Sequence, residues 1–299
     1  MSPESPYAPL LASIPLTVSE VSVLGSRTRY WVYGPADAER TVVIVHGYRG
    51  EHHGIEPIIA NLPGVRFVSP DLPGFGESTP LTETDHSVAG YSAWLVAFVD
   101  ALELEAAPIV LGHSFGSIVV SHAVAGGMRP LALILVNPIA TSGLKGPRQW
   151  LTGLTVFYYG LAKKLPARWG RRLLGSWVIV QLMSSSMAKT KDRALRRWIH
   201  REHHTYFSRF ASRDVVVEGF AASISADVSE FAAQITVPTL LVAARLDDIT
   251  PVEAQYDLTE AIAGSTLVVL DDVGHLIHYE VPELAASAIT DFLDTLPAS

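Results

Sequence analysis

Six short runs rich in Val, Ile and Leu constrain this chain more than any other feature. They are TVVIVHG (41–47), VRFVSPD (65–71), PIVLGHS (108–114), LALILVN (131–137), TLLVAAR (239–245) and TLVVLDD (266–272), each bounded by Gly, Pro, Asp or Asn. Runs this short and this continuously apolar read as strands buried on both faces, and such strands pair in parallel. Parallel pairs need covering crossover helices. VAGYSAWLVAFVDALEL (88–104) and PELAASAITDFLDTL (282–296) supply them, with apolar residues at spacings of three and four. TVSEVSVLGSRTRYWVYG (17–34) alternates around Gly25 and Ser26, which predicts an antiparallel hairpin at one sheet edge. The expected class is α/β, a mostly parallel central sheet flanked by helices.

The strand rhythm stops after Pro138 and resumes only at Val237. A structureless loop of that length is rare in a compact fold, so the interval predicts a helical lid. The expected organisation is a core domain of residues 1–138 and 236–299 with a helical cap inserted over 139–235. Charge divides along the same lines. Lys145 to Arg213 holds 15 of the 22 Lys and Arg but only two acids, Asp192 and Glu202, so that stretch is +13 in a chain of net charge −8. Two readings stand for it: solvated helix faces, or contact with an anionic membrane surface or amphiphile through basic residues interleaved with tryptophan. No nucleic-acid partner is expected, and the oligomeric state is left open. With no cysteine, disulfides and thiol nucleophiles are absent. No basic leader or membrane-length apolar run is visible, so a cytoplasmic location is expected.

Within the third of the six runs, IVLGHSFGSIVV (109–120) sets a polar Gly-His-Ser-Phe-Gly knot between apolar stretches. A strand ending at Gly112 and a helix starting near Phe115 must reverse direction over very few residues. Glycine at 112 and 116 removes the side chains that would collide there, leaving Ser114 on a sharp G-x-S-x-G elbow with its Oγ above the carboxyl end of the sheet. The Phe115 N–H, opening the helix, can stabilise an oxyanion.

These landmarks do not stand alone. HGYRG (46–50), DLPGFGES (71–78) and GHSFG (112–116) come in the order in which the α/β-hydrolase superfamily keeps its oxyanion loop, its D-x-P-G-x-G-x-S turn and its nucleophile elbow. The chain therefore resembles an α/β-hydrolase with a helical cap. That resemblance implies the α/β-hydrolase fold and a catalytic Ser114, Asp247 and His275, with Tyr48 giving the second oxyanion N–H beside that of Phe115. Asp247 lies in ITVPTLLVAARLDDITP (235–251) and His275 in DDVGHLIHYEVPEL (271–284). One departure is visible: the family's acid motif commonly reads G-x-x-D, and this chain has Ala244-Arg245-Leu246-Asp247.

Neighbouring residues compete for these roles. Pro251, four residues after Asp247, favours it over Asp248, and the Gly274-His275 pair favours His275 over His278. Asp71 is expected to brace the turn at Gly74 and Gly76, and His113 to pack under the elbow. His52 and His53 invite a metal reading, but adjacent side chains diverge on regular elements and no H-E-x-x-H pattern accompanies them. No metal and no cofactor are expected. His52 and His53 are instead candidate substrate contacts, together with Trp150 and Trp177 of the cap.

The function expected is a serine hydrolase that cleaves an apolar small-molecule ester or lactone through an acyl-enzyme. The same framework is similar to carbon–carbon bond hydrolases, perhydrolases of the haloperoxidase type, and receptors that bind without turnover.

Overall fold

The structure is a computed structural model and describes residues 5–142 and 149–297. Its strands are β1 (Leu16–Val23), β2 (Ser26–Tyr33), β3 (Thr41–Val45), β4 (Arg66–Pro70), β5 (Ile109–His113), β6 (Ala132–Val136), β7 (Thr239–Ala244) and β8 (Ser265–Leu270). All six apolar runs of the sequence are therefore strands. They form one sheet in the order β1-β2-β4-β3-β5-β6-β7-β8, in which β4 to β8 run parallel and the β1–β2 hairpin joins antiparallel to β4. The hairpin turns at Leu24 and Gly25, both with positive φ (47° and 74°), the twist that a two-residue connection needs.

The helices are α1 (Ala8–Leu11), α2 (Glu56–Ala60), α3 (Val88–Ala101), α4 (Phe115–Ala125), α5 (Gln149–Lys164), α6 (Ala167–Leu174), α7 (Trp177–Met187), α8 (Arg193–Tyr206), α9 (Arg213–Ser225), α10 (Val252–Ala261), α11 (Ile277–Glu280) and α12 (Pro282–Thr295). Strand alternation splits the core in two. Val43, Val45, Leu133, Leu135 and Leu241 face a cluster with Trp94 and Phe98 of α3 and Ile118 of α4. Val42, Ile44, Ile134, Val136 and Leu240 face the opposite cluster with Ile58 of α2 and Ile289 and Phe292 of α12. A one-residue register slip in any central strand would exchange these faces, so burial on both sides fixes the pairing.

Helices α5 to α9 fill the interval between β6 and β7. Tyr159, Leu174, Phe210, Val216 and Phe220 from that insertion join the same cluster as Val45 and Phe115. The insertion thus packs over the face on which the elbow opens.

Candidate active site

Ser114 stands between the last residue of β5 and the first of α4, with φ 52° and ψ −118°. An L-residue avoids that conformation, so the surroundings must impose it. They do so through close backbone approach: a Cβ on Gly116 would lie 2.0 Å from the Val45 carbonyl oxygen, and one on Gly112 would lie 2.7 Å from the Gly116 oxygen. The Ser114 N–H donates to the Val136 oxygen at 3.0 Å, and the Ser117 N–H donates to the Ser114 oxygen at 2.8 Å.

From the far end of the sheet, the loops after β7 and β8 bring the other two residues to this point. His275 Nε2 is 2.8 Å from Ser114 Oγ, and its Nδ1 is 2.8 Å from Asp247 Oδ2. Asp247 is buried and fully engaged: Oδ2 also accepts from Asn137 Nδ2 at 3.0 Å, while Oδ1 accepts from the N–H groups of Ile249 (2.8 Å) and Thr250 (3.2 Å). Burial alone would raise this carboxyl, but the His275 charge and hydrogen bond, with the two backbone donors, hold it below the usual carboxylate range. With Asp247 ionised, Nδ1 of His275 carries the proton and Nε2 is left to accept from Ser114.

Asp248 faces away from this chain of contacts, and Lys189 of the insertion donates to its Oδ2. His113 and His278 are both buried and meet edge to face at 4.2 Å. Burial, with neighbouring histidines, pushes His113 down to about 3 and His278 well below its ordinary value, so both are neutral packing groups.

The loop after β3 closes the site from the other side. A Cβ on Gly47 would meet Ser114 Cβ at 3.3 Å, which puts the His46-Gly47-Tyr48 backbone against the nucleophile candidate. His46 Nε2 accepts from the Leu72 N–H at 2.8 Å, so its Nδ1 bears the proton and donates to the Gly47 oxygen at 2.8 Å. Phe115, whose N–H opens α4, packs edge-on against Tyr91 in the core.

Beyond Gly47 the loop is held by the insertion. The Tyr48 hydroxyl donates to the Val216 oxygen at 2.7 Å. Arg49, in the left-handed region with φ 59° and only 2% exposed, donates to the carbonyls of Phe207 (3.0 Å) and Leu174 (2.9 Å) and to the Tyr159 hydroxyl (3.4 Å). Its guanidinium also lies 4.4 Å from the Phe207 ring centroid. Sequence reasoning missed Arg49 and the Asn137 donor. The signal for the first was a lone arginine inside HGYRG, a loop otherwise free of long polar side chains.

The remaining described candidates have partners other than Ser114. His52 is 2% exposed, stacks on Trp31 and holds Asp71 through both its backbone N–H and Nδ1. Asp71 Oδ2 accepts from the Glu77 N–H at 2.8 Å and occupies the space that a Cβ on Gly76 would need, which is the bracing role expected of it. His53 pairs with Glu51 and stacks on Tyr206. Trp177 is 64% exposed and stacks on His204 at the surface. With Trp169 and Arg172 it lines a cavity of about 800 Å³ to which neither Ser114 nor His275 contributes. The Trp150 side chain lies outside the described residues.

Against known proteins, residues 40–282 match the family model for the alpha/beta hydrolase fold. The chain is 27% identical over 264 residues to a pimeloyl-[acyl-carrier protein] methyl ester esterase of Aeromonas hydrophila, covering 84% of this chain and 94% of the relative. It is 28% identical over 238 residues to a 2-hydroxymuconate semialdehyde hydrolase of Pseudomonas sp., covering 76% of each. Similar solved structures include an esterase from Exiguobacterium antarcticum (TM-score 0.75, 19% identity, 93% of this chain and 100% of the other) and the enol-lactonase from Burkholderia xenovorans (TM-score 0.72, 20% identity, 92% and 100%).

Proposed function

Because this chain belongs to the alpha/beta hydrolase fold family, we propose that it is a serine hydrolase that cleaves a small carboxylic ester or lactone through an acyl-enzyme. The observation that carries this reading is the unbroken contact chain from Ser114 Oγ through His275 to Asp247, at 2.8 Å and 2.8 Å. In the first half-reaction, Ser114 Oγ attacks the carbonyl carbon as its proton passes to His275 Nε2. The tetrahedral oxyanion lies against the Tyr48 and Phe115 N–H groups. Collapse expels the alcohol, which takes the proton from His275. Water then repeats the sequence on the acyl-serine and releases the acid and free Ser114. Asp247 orients the imidazole and stabilises its charged form throughout. Helices α5 to α9, read as a cap over residues 139–235, would select the acyl or ring portion, and a cysteine-free chain suits the reducing cytoplasm.

A fluorophosphonate probe is the direct test, because an activated hydroxyl attacks phosphorus as it attacks a carbonyl. Wild-type protein should be labelled at Ser114 and should turn over p-nitrophenyl butyrate. Ser114→Ala should lose labelling and roughly 10⁴-fold or more in rate. Full activity in Ser114→Ala would sink the mechanism, and stoichiometric labelling without any turnover would favour a receptor.

A second reading concerns the partner surface. Leu154, Phe157, Trp169, Trp177, Val178 and Leu182 of the insertion are 51–70% exposed, and Lys163, Lys164, Arg168, Arg171 and Arg172 stand exposed among them. We propose that this face rests on an anionic lipid surface, apolar side chains inserted and basic ones at the headgroups. Among the described residues no helix is long and apolar enough to cross a membrane.

A further inference from the structure

The loop that leaves Arg49 carries a group of side chains that the hydrolytic chemistry does not use. Residues His52–Gly54 form a single tight 3-10 turn running into α2. That turn defeats the expectation that adjacent histidines diverge: the His52 and His53 ring centroids are 3.8 Å apart. One donor atom each from His52, His53 and Glu56 lies within 4.8 Å of the others.

Each ring is already oriented by a buried carboxylate. His52 Nδ1 donates to Asp71 Oδ1 at 2.9 Å, and His53 Nδ1 donates to Glu51 Oε1 at 2.6 Å. These bonds occupy each Nδ1, so Nε2 is the ring nitrogen left to a ligand, and among the described residues neither Nε2 has a hydrogen-bond partner. Glu56 is oriented in the same way: the Tyr33 hydroxyl donates to its Oε1 at 2.7 Å, leaving Oε2. Glu51 is 2% exposed, and its second oxygen is buried with no hydrogen-bond partner, the Arg209 guanidinium lying 3.9 Å off. Glu202 of α8 lies within electrostatic range of His53, Glu51 and Glu56.

Two imidazoles fixed by carboxylates, one carboxylate oxygen as the third ligand and a local excess of negative charge describe a divalent-cation site complete with its outer hydrogen bonds. Nitrogen donors rule against Mg²⁺ and Ca²⁺, which take oxygen ligands, and an N₂O set suits Zn²⁺. We propose that His52, His53 and Glu56 bind Zn²⁺, with the fourth position open to water or to Glu202. The ion would clamp the loop between the nucleophile-facing Gly47 and α2. It takes no part in the Ser114 chemistry, and the site stands or falls independently of the hydrolase reading.

The test is calorimetric titration of ZnCl₂ into tag-free, EDTA-treated full-length protein. Saturable binding of one equivalent is expected, with a rise in thermal midpoint of roughly 5 °C at saturating metal. Co²⁺ in its place should give visible d–d bands of the tetrahedral kind. Glu56→Gln, nearly isosteric, and His53→Ala should each weaken binding at least about 10-fold. Ser114→Ala should bind Zn²⁺ as wild type does, which separates this site from catalysis. Absence of saturable binding to wild type, or unchanged affinity in both variants, would overturn the proposal.

Discussion

Asp247 and Asp248 are adjacent carboxylates whose surroundings assign them different work. Asp247 is buried and accepts four hydrogen bonds, one from His275. Asp248 is part-exposed and pairs with Lys189 across to the insertion. Asp247→Asn should therefore leave the fold intact and lower kcat by roughly 10³- to 10⁴-fold, since the amide no longer holds the imidazole in the right tautomer. Asp248→Asn weakens a part-exposed ion pair with Lys189, worth about 0.5 kcal/mol, and kcat should stay close to wild type. Steady-state kinetics on both variants decides it, and the reverse ranking would move the acid by one residue. The elbow at Ser114 was legible in the sequence because Gly112 and Gly116 allow its close backbone approach, while His275 was reached only through the resemblance of its motif to the family's. His52 and Trp177 were not legible. Which way such a side chain turns depends on partners distant in the chain, here Trp31 and Asp71 for one and His204 for the other.

At the scale of elements, legibility follows burial. Strands β3 to β7 lie inside the sheet with nearly every residue covered, so their continuous apolar runs announced them. Helices α5 to α9 announced their class but not their facing. Their apolar residues divide between the core, as with Tyr159 and Leu174, and the exterior, as with Phe157 at 70% exposed, and periodicity alone does not separate the two. The exterior set makes the lipid reading testable. The protein should co-sediment with vesicles containing anionic lipid more than with neutral ones. Roughly 0.5 M salt should release most of it, as the Debye length shrinks to about 4 Å. Trp169→Ala with Trp177→Ala should weaken the binding further. Equal binding to both vesicle types, or none at low salt, would remove this role from the insertion.

For the molecule as a whole, the buried histidines set an acid limit. His46, His113, His203 and His278 are all buried, and burial lowers each from its ordinary 6.5, His113 and His203 to about 3. Below about pH 6.5 the unfolded chain takes up protons that these folded sites refuse. Each such group then costs about 1.4 kcal/mol of stability per pH unit until its folded pKa is reached. Burial lowers His86 too, whereas Glu202, raised to about 7 by burial, Glu280, also raised by burial, and His53, raised against burial by its Glu51 hydrogen bond, act in the opposite sense and offset part of this. The net sign remains destabilising, so the thermal midpoint should fall by several degrees between pH 6.5 and 5. A flat or rising midpoint over that interval would show that these rings are not buried neutral. The clasp at Tyr48 and Arg49 bears on how such a protein can diverge. Its hydrogen bonds end mainly on the main-chain carbonyls of Leu174, Phe207 and Val216, which every amino acid possesses. Lineages can thus rewrite the side chains of α6, α8 and α9 and acquire new substrates without loosening the grip of the helices on the loop beside Ser114.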